Sequence, residues 1–186
     1  MAVNNGCNEV PTTIGTANQI TATLSGTQYT LALASTVINP SQPLFSAYLS
    51  ATQLNATGNG AAFTIVFDTV LFNQASSYNN ATGIFTAPVT GKYLFCAQGM
   101  YNAVTTSGTS LLNLVTTSLT YTLNFSRTLT AVPFSQPGGF MVAMTAGDTA
   151  RIQFTISGNA GNTVSVIGSA DTAGVPTTYF SGYLLP

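Results

Sequence analysis

The sequence predicts an all-β chain, a sandwich or barrel of about ten short strands, and three observations predict it. Thr, Ser, Asn and Gly dominate, with 17 Gly and 8 Pro spread along 186 residues. Thr is β-branched and suits a pleated, half-buried surface, while Gly, Asn and Pro mark turns. The charged helix formers are scarce, with one Lys, one Glu and two Arg, and no stretch keeps a 3.6-residue apolar period between caps. Short alternating segments recur instead, at roughly 8–12-residue spacing with turn residues between them.

Taken in chain order, Ile20-Thr21-Ala22-Thr23-Leu24 and Tyr29-Thr30-Leu31-Ala32-Leu33 alternate and flank Ser25-Gly26-Thr27, which reads as a small hairpin. Asn39-Pro40-Ser41-Gln42-Pro43 then interrupts the pattern. Proline is excluded from central strands, and two so close together make a stiff connector. The chain therefore divides into an N-terminal β extension with its linker, residues 1–42, and a head, residues 43–186. Tyr29 is the only ring upstream, so the extension has too little apolar surface to fold alone. All eleven Phe and seven of the eight Tyr lie downstream, which makes the head the core-bearing part.

Within the head, strands are expected at 45–49, 63–72, 93–100, 110–115, 119–129, 140–144, 150–156, 163–167 and 178–185. Tyr93, Phe95 and Ala97 fall on one strand face, as do Phe180, Gly182 and Leu184, supplying inward rings for two packed sheets. Gly91 and Gly147 sit where tight turns call for a left-handed or sterically open backbone. The loops 51–62, 103–109 and 158–163 are polar and Gly-rich, where function sits on a rigid scaffold.

Charge excludes whole classes of function. Three basic and four acidic residues make 4% of the chain, against roughly 25% in a typical soluble domain. Three cations cannot neutralise a phosphate backbone, so no nucleic-acid partner is expected. There is no histidine, so every Ser-His or Cys-His relay is missing. Glu9, Asp68, Asp148 and Asp171 are isolated from one another in sequence. Asp68 and Asp148 would need to lie roughly 5–10 Å apart in a cleft to work as a glycosidase pair; a structural role is preferred for both. No enzyme activity, no cofactor and no metal site are expected, and no CxxC spacing suggests zinc.

Mean hydropathy is positive at +0.34, yet no apolar run approaches the roughly 18–20 residues of a spanning helix. The start, MAVNNGCNEVPTT, lacks a basic region and an apolar core, so no signal peptide is read there. Cys96 is expected as a buried thiol and Cys7 as an incidental one, with a Cys7–Cys96 bridge as the alternative. Lys92, Arg127 and Arg151 read as solvated edge or interface charges; buried, Arg127 would need Asp68 or Asp148 as partner. The sequons at Asn55, Asn80 and Asn124 read as chance in an Asn- and Thr-rich chain.

In the head, five pieces occur in an order that resembles the globular head of complement C1q, within the tumour-necrosis-factor-like jelly rolls. They are Phe45-Ser46-Ala47; Ile65-Val66-Phe67-Asp68 with Val70 and Asn73; Tyr78 followed by Gly83-Ile84-Phe85-Thr86-Ala87-Pro88-Val89-Thr90-Gly91 and Tyr93-Leu94-Phe95; Gly147-Asp148; and Phe180-Ser181-Gly182-Tyr183-Leu184-Leu185. The resemblance implies an antiparallel jelly-roll sandwich that forms a homotrimer. It assigns Phe45, Phe67, Phe85, Tyr93, Phe95, Phe180 and Tyr183 to core and subunit packing. Surface charges and calcium, frequent in animal heads of this type, are not carried over; Asp171 is the one carboxylate placed to serve a symmetry axis. More weakly, Gly15-Thr16-Ala17-Asn18-Gln19-Ile20-Thr21-Ala22-Thr23 with Tyr29 to Leu33 resembles one repeat of phage and large-virus fibre shafts.

Together these resemblances imply a non-enzymatic trimeric head of a viral or phage fibre. It would sit on a virion or extracellular surface, partner itself, and bind a cell-surface glycan or protein receptor without entering the membrane. The rival expectation is a structural or decoration protein that assembles as trimers without a dedicated receptor. A secreted animal-type lectin is a third, weakened by the missing signal and collagen-like repeats.

Overall fold

The computed structural model describes residues 20–25, 28–33, 42–102, 108–127 and 133–186. The chain forms two units, Met1–Pro40 and Ser41–Pro186. In the first, β1 (Ile20–Ser25) and β2 (Gln28–Leu33) pair antiparallel, Ile20 opposite Leu33 and Ser25 opposite Gln28.

The second unit is a two-sheet antiparallel sandwich. Its strands are β3 (Leu44–Tyr48), β4 (Gln53–Thr57), β5 (Ala62–Thr64), β6 (Thr69–Gln74), β7 (Tyr78–Asn79), β8 (Ile84–Thr86) and β9 (Gly91–Asn102). There follow β10 (Ser110–Thr116), β11 (Thr120–Ser126), β12 (Phe134–Met144), β13 (Thr149–Ile156), β14 (Val164–Val166) and β15 (Tyr179–Leu184), with a 3-10 turn at Ser169–Thr172. The first sheet runs β11-β10-β13-β8-β7, with β5 also on β13. The second runs β4-β14-β9-β15-β3-β6, with β12 along the other edge of β9.

Period-2 alternation fills the space between the sheets. Phe45 and Ala47 of β3, Tyr93, Phe95, Ala97 and Tyr101 of β9, and Phe180 of β15 face Leu112, Leu114, Ile152 and Phe154 of the first sheet, all buried. The rings pack as offset and edge pairs, the arrangements that ring quadrupoles favour. Phe45 stacks on Tyr78 at 4.8 Å and meets Phe180 edge-on at 4.9 Å. Phe85 touches Phe45, Tyr93 and Phe95.

Several expected elements are revised. The segment 63–72 is not one strand: β5 belongs to the first sheet and β6 to the second. Asp68 makes the crossing, since its carboxylate accepts hydrogen bonds from the Ser50 amide at 2.8 Å and the Ser50 hydroxyl at 2.7 Å. Ile65 and Phe67 point into the core beside it. The loop read at 51–62 contains β4, whose pairing with β14 no apolar alternation announces. The strand read at 140–144 extends back to Phe134 as β12. Pro137 is tolerated there because, among the described residues, β12 pairs only with β9, and a prolyl nitrogen on a free edge forfeits no ladder bond.

Gly147 has φ +92 in the turn before β13, as its position required. At Gly91 the φ is ordinary, and a Cβ would lie 2.5 Å from Leu184 Cδ1, the flexible end of a half-buried side chain that can turn aside. The Asn of the second motif braces the turn after β6: Asn73 Nδ2 donates to Tyr78 O at 2.8 Å, and Tyr78 N donates to Asn73 Oδ1 at 3.1 Å.

Candidate functional site

The alternation that sends one half of each strand inward sends the other half onto an outer face, and on the second sheet that face is almost free of charge. Register places Leu44, Tyr183, Leu94 and Met141 side by side across β3, β15, β9 and β12. One step along, Ser46, Ser181, Cys96 and Gly139 form a low line ending against Phe72 of β6. Beyond it stand Tyr48, Tyr179, Gln98 and Pro137. Two tall lines thus flank a shallow one.

A hollow of about 270 Å³ lies between Phe72 and Tyr183. A second, of about 410 Å³, opens beside Lys92, Met141, Ala143 and Leu185. Among the described residues, Lys92 is the one ionic side chain on these strands of the face. Met141 is 63% exposed, Phe72 49% and Tyr183 42%. At strand and residue spacings the face spans on the order of 400 Å², mostly apolar but crossed by Ser46, Ser181 and Gln98, the mixed composition found at non-obligate interfaces.

The residues that the resemblance assigns to core and subunit packing divide into two groups. Phe45, Phe67, Phe85, Tyr93, Phe95 and Phe180 are buried between the sheets. Tyr183 alone points out, onto the apolar face. Burial raises the Tyr78 phenol far above its ordinary value, although its hydroxyl donates to Phe67 O at 3.1 Å and accepts from Phe67 N at 3.2 Å. It serves as a hydrogen-bonded strut. Tyr93 is likewise raised by burial, its hydroxyl donating to Val89 O at 2.7 Å.

Cys96 corrects the expectation of a buried thiol: it is exposed in the middle of the low line. Its odd-even partners Phe95 and Ala97 take the inward positions, so the strand phase leaves Cys96 outside. Cys7 and Glu9 lie outside the described residues, and so do residues 103–107 of the loop expected at 103–109.

The carboxylates are occupied locally. Burial raises the Asp68 carboxyl, but hydrogen bonds from Ser50 and Thr69 outweigh it and hold the group below its ordinary value. Asp148 Oδ2 accepts from Thr145 N at 2.8 Å, closing the turn before β13. Asp171 accepts from the Thr52 hydroxyl. Among the described residues no group of three His, Cys, Asp or Glu side chains could hold a metal ion.

Arg127 is exposed and stands over the Phe125 ring, 5.5 Å from its centroid, so it has no need of a buried carboxylate. Of the sequon asparagines, Asn80 donates to Asp68 O at 2.9 Å and Asn124 to Pro137 O at 3.0 Å. Asn55 is exposed at φ +53.

The apolar face went unread in the sequence because, apart from Lys92, both faces of β3, β9 and β15 carry uncharged residues. Without polar contrast, period 2 shows a strand but not its outer side.

Comparison with known proteins agrees with this geometry. Residues 45–185 match the family model of the C1q domain. The globular domain of zebrafish complement 1qA protein superposes with a TM-score of 0.55 at 18% identity, covering 78% of this chain and 98% of that one. A crystal structure of murine APRIL superposes at 0.53 with 11% identity, covering 77% and 99%. At these identities the superpositions speak for the fold alone, an all-β jelly-roll sandwich of the C1q and tumour-necrosis-factor type. Domains of this fold family are non-catalytic.

Proposed function

The chain belongs to the C1q-domain family, and from that premise we propose that its head is a self-associating recognition module: a homotrimer that binds a cell-surface glycan or protein receptor. The observation that carries this reading is the apolar outer face of the second sheet. At about 25 cal/mol per Å² of apolar surface, removing the apolar part of that face from water, roughly 60% of it at interfaces of this kind, contributes on the order of 5 kcal/mol. That is comparable with the cost of lost translational and rotational freedom, and a partner surface of equal area doubles the gain. Sparse charge adds no repulsion between copies.

The finer reading is the head of a viral or phage fibre, displayed on a virion or another extracellular surface. It is supported by the shaft-like sequence over 15–33 and by the hairpin of β1 and β2 within it. Saturable binding of the full chain to cells, alongside a fixed trimeric mass, tests it. A second reading, a structural layer without a receptor, draws on a single observation: only seven residues in the chain are charged at neutral pH. Mass that climbs steadily with concentration, without saturable binding to cells, favours that one.

A further inference from the structure

The outer face of the first sheet has a different chemistry from that of the second. Register sets Thr122, Asn113, Gln153 and Thr64 side by side across β11, β10, β13 and β5. Strands lie about 4.8 Å apart, so the four groups form a line of amides and hydroxyls about 15 Å long. Gln153 Nε2 donates to Thr64 Oγ1 at 3.1 Å; among the described residues its Oε1 and second amide hydrogen make no hydrogen bond. Asn113 Oδ1 is withdrawn from water and has no hydrogen-bond partner among the described residues. An orphaned acceptor of that kind costs about 1–3 kcal/mol, and rotation of the amide toward a ligand hydroxyl would relieve it.

Charge is sorted around this line. The chain has two arginines, and both flank it. Arg151 lies two residues before Gln153 on β13 and opposite Val115, half-buried on the same outer face. Arg127 follows Phe125, which is 48% exposed at the other end. Asp68, Asp148 and Asp171 are all spent in loops on Ser50, Thr145 and Thr52. The face thus offers neutral hydrogen-bonding groups in a row, an aromatic ring at one end, and two cations, while the described carboxylates are engaged in loops.

We propose that the outer face of the first sheet binds an acidic saccharide. A sugar carboxylate pairs with Arg151, hydroxyls reach Gln153, Asn113 and the threonines, and the C–H face of a ring lies on Phe125. Guanidinium suits this role because its planar fork matches a carboxylate bidentately. The proposal names the receptor class of the module proposed above and rests on that reading.

The test uses matched oligosaccharides with and without a carboxylate: a hyaluronan tetrasaccharide against chitotetraose, and sialyllactose against lactose. Each is titrated calorimetrically into the full chain, with light-scattering mass recorded on the same samples. At least one acidic member should bind at least 10-fold tighter than its neutral counterpart. Arg151→Gln, Gln153→Ala and Phe125→Ala should each weaken it at least 10-fold without changing the mass. Val175→Ser, 58% exposed on a loop elsewhere, should leave it unchanged. Equal binding of neutral and acidic members, or binding indifferent to all three substitutions, overturns the site. A fixed trimer that binds none of the four overturns the saccharide inference alone, whereas a monomer that binds none overturns the module reading with it.

Discussion

Replacing Gly182 by Ala sets two opposing effects against each other, and the structure decides which wins. Glycine costs a strand conformational entropy, so Gly→Ala at a tolerant site stabilises by about 0.4–1 kcal/mol. At Gly182 the new methyl would lie 2.5 Å from Phe95 Cδ1, 2.7 Å from Cε1 and 2.9 Å from Phe45 Cε1. Neither ring has room to yield. Phe95 is held by Phe85 at 5.2 Å and Phe180 at 5.7 Å, and Phe45 by Tyr78 at 4.8 Å. Overpacking of a filled core costs about 1–3 kcal/mol, so Gly182→Ala should lose about 1–2 kcal/mol net. Gly161 supplies the control, since a Cβ there meets nothing within 4 Å and its φ is ordinary; Gly161→Ala should be neutral or slightly stabilising. Urea unfolding at one fixed protein concentration measures both. Gly182→Ala matching Gly161→Ala would refute the claim that close ring packing fixes the glycine of the closing motif.

Phe180→Ala removes a fully buried ring that contacts Phe45, Phe67, Tyr78 and Phe95, and should cost about 3–5 kcal/mol in the same assay. Asp68 sits below its ordinary value of 3.8 in the folded chain, so its contribution is present above that pH and is lost as pH falls below it. Asp68→Asn should be less stable than wild type at pH 6, and the gap should narrow toward pH 3 in acid-titrated thermal melts. Cys96, exposed in the single chain, lies on the face proposed to be shared between subunits. In a Cys7→Ser background its alkylation by a maleimide should be at least 10-fold slower in the assembled protein than in a Tyr183→Asp variant.

The strands of the core were legible wherever a ring or aliphatic group alternated with something smaller or more polar, as in β9, β13 and β15. Their ends shifted by a residue or two, for reasons the ladder supplies and composition does not. The 63–72 segment misled because Asp68 sits inside an apolar run, and only its pairing with Ser50, 18 residues earlier in sequence, reveals a change of sheet. β12 was half-hidden by Pro137-Gly138-Gly139, residues that signal a break until an edge position accommodates them. Gly138 in particular faces Leu123, where a Cβ would lie 2.6 Å from the Leu Cβ.

The candidate faces were harder to read. Tyr183 was legible as part of a motif, but Leu44, Leu94 and Met141 join it only through registers that link four strands distant in sequence. The same holds for Asn113, Gln153 and Thr64, whose spacing along the chain carries no sign that they stand in line.

The most direct test of the self-association claim is light-scattering mass of the full chain across a concentration series, beside Tyr183→Asp and Met141→Asp. Wild type should hold a constant mass of three 19.2 kDa chains, about 58 kDa, while each aspartate variant, placing a charge on the apolar face, dissociates toward a folded monomer. A wild-type chain that is monomeric throughout, or variants that remain trimeric, would contradict the assignment of that face.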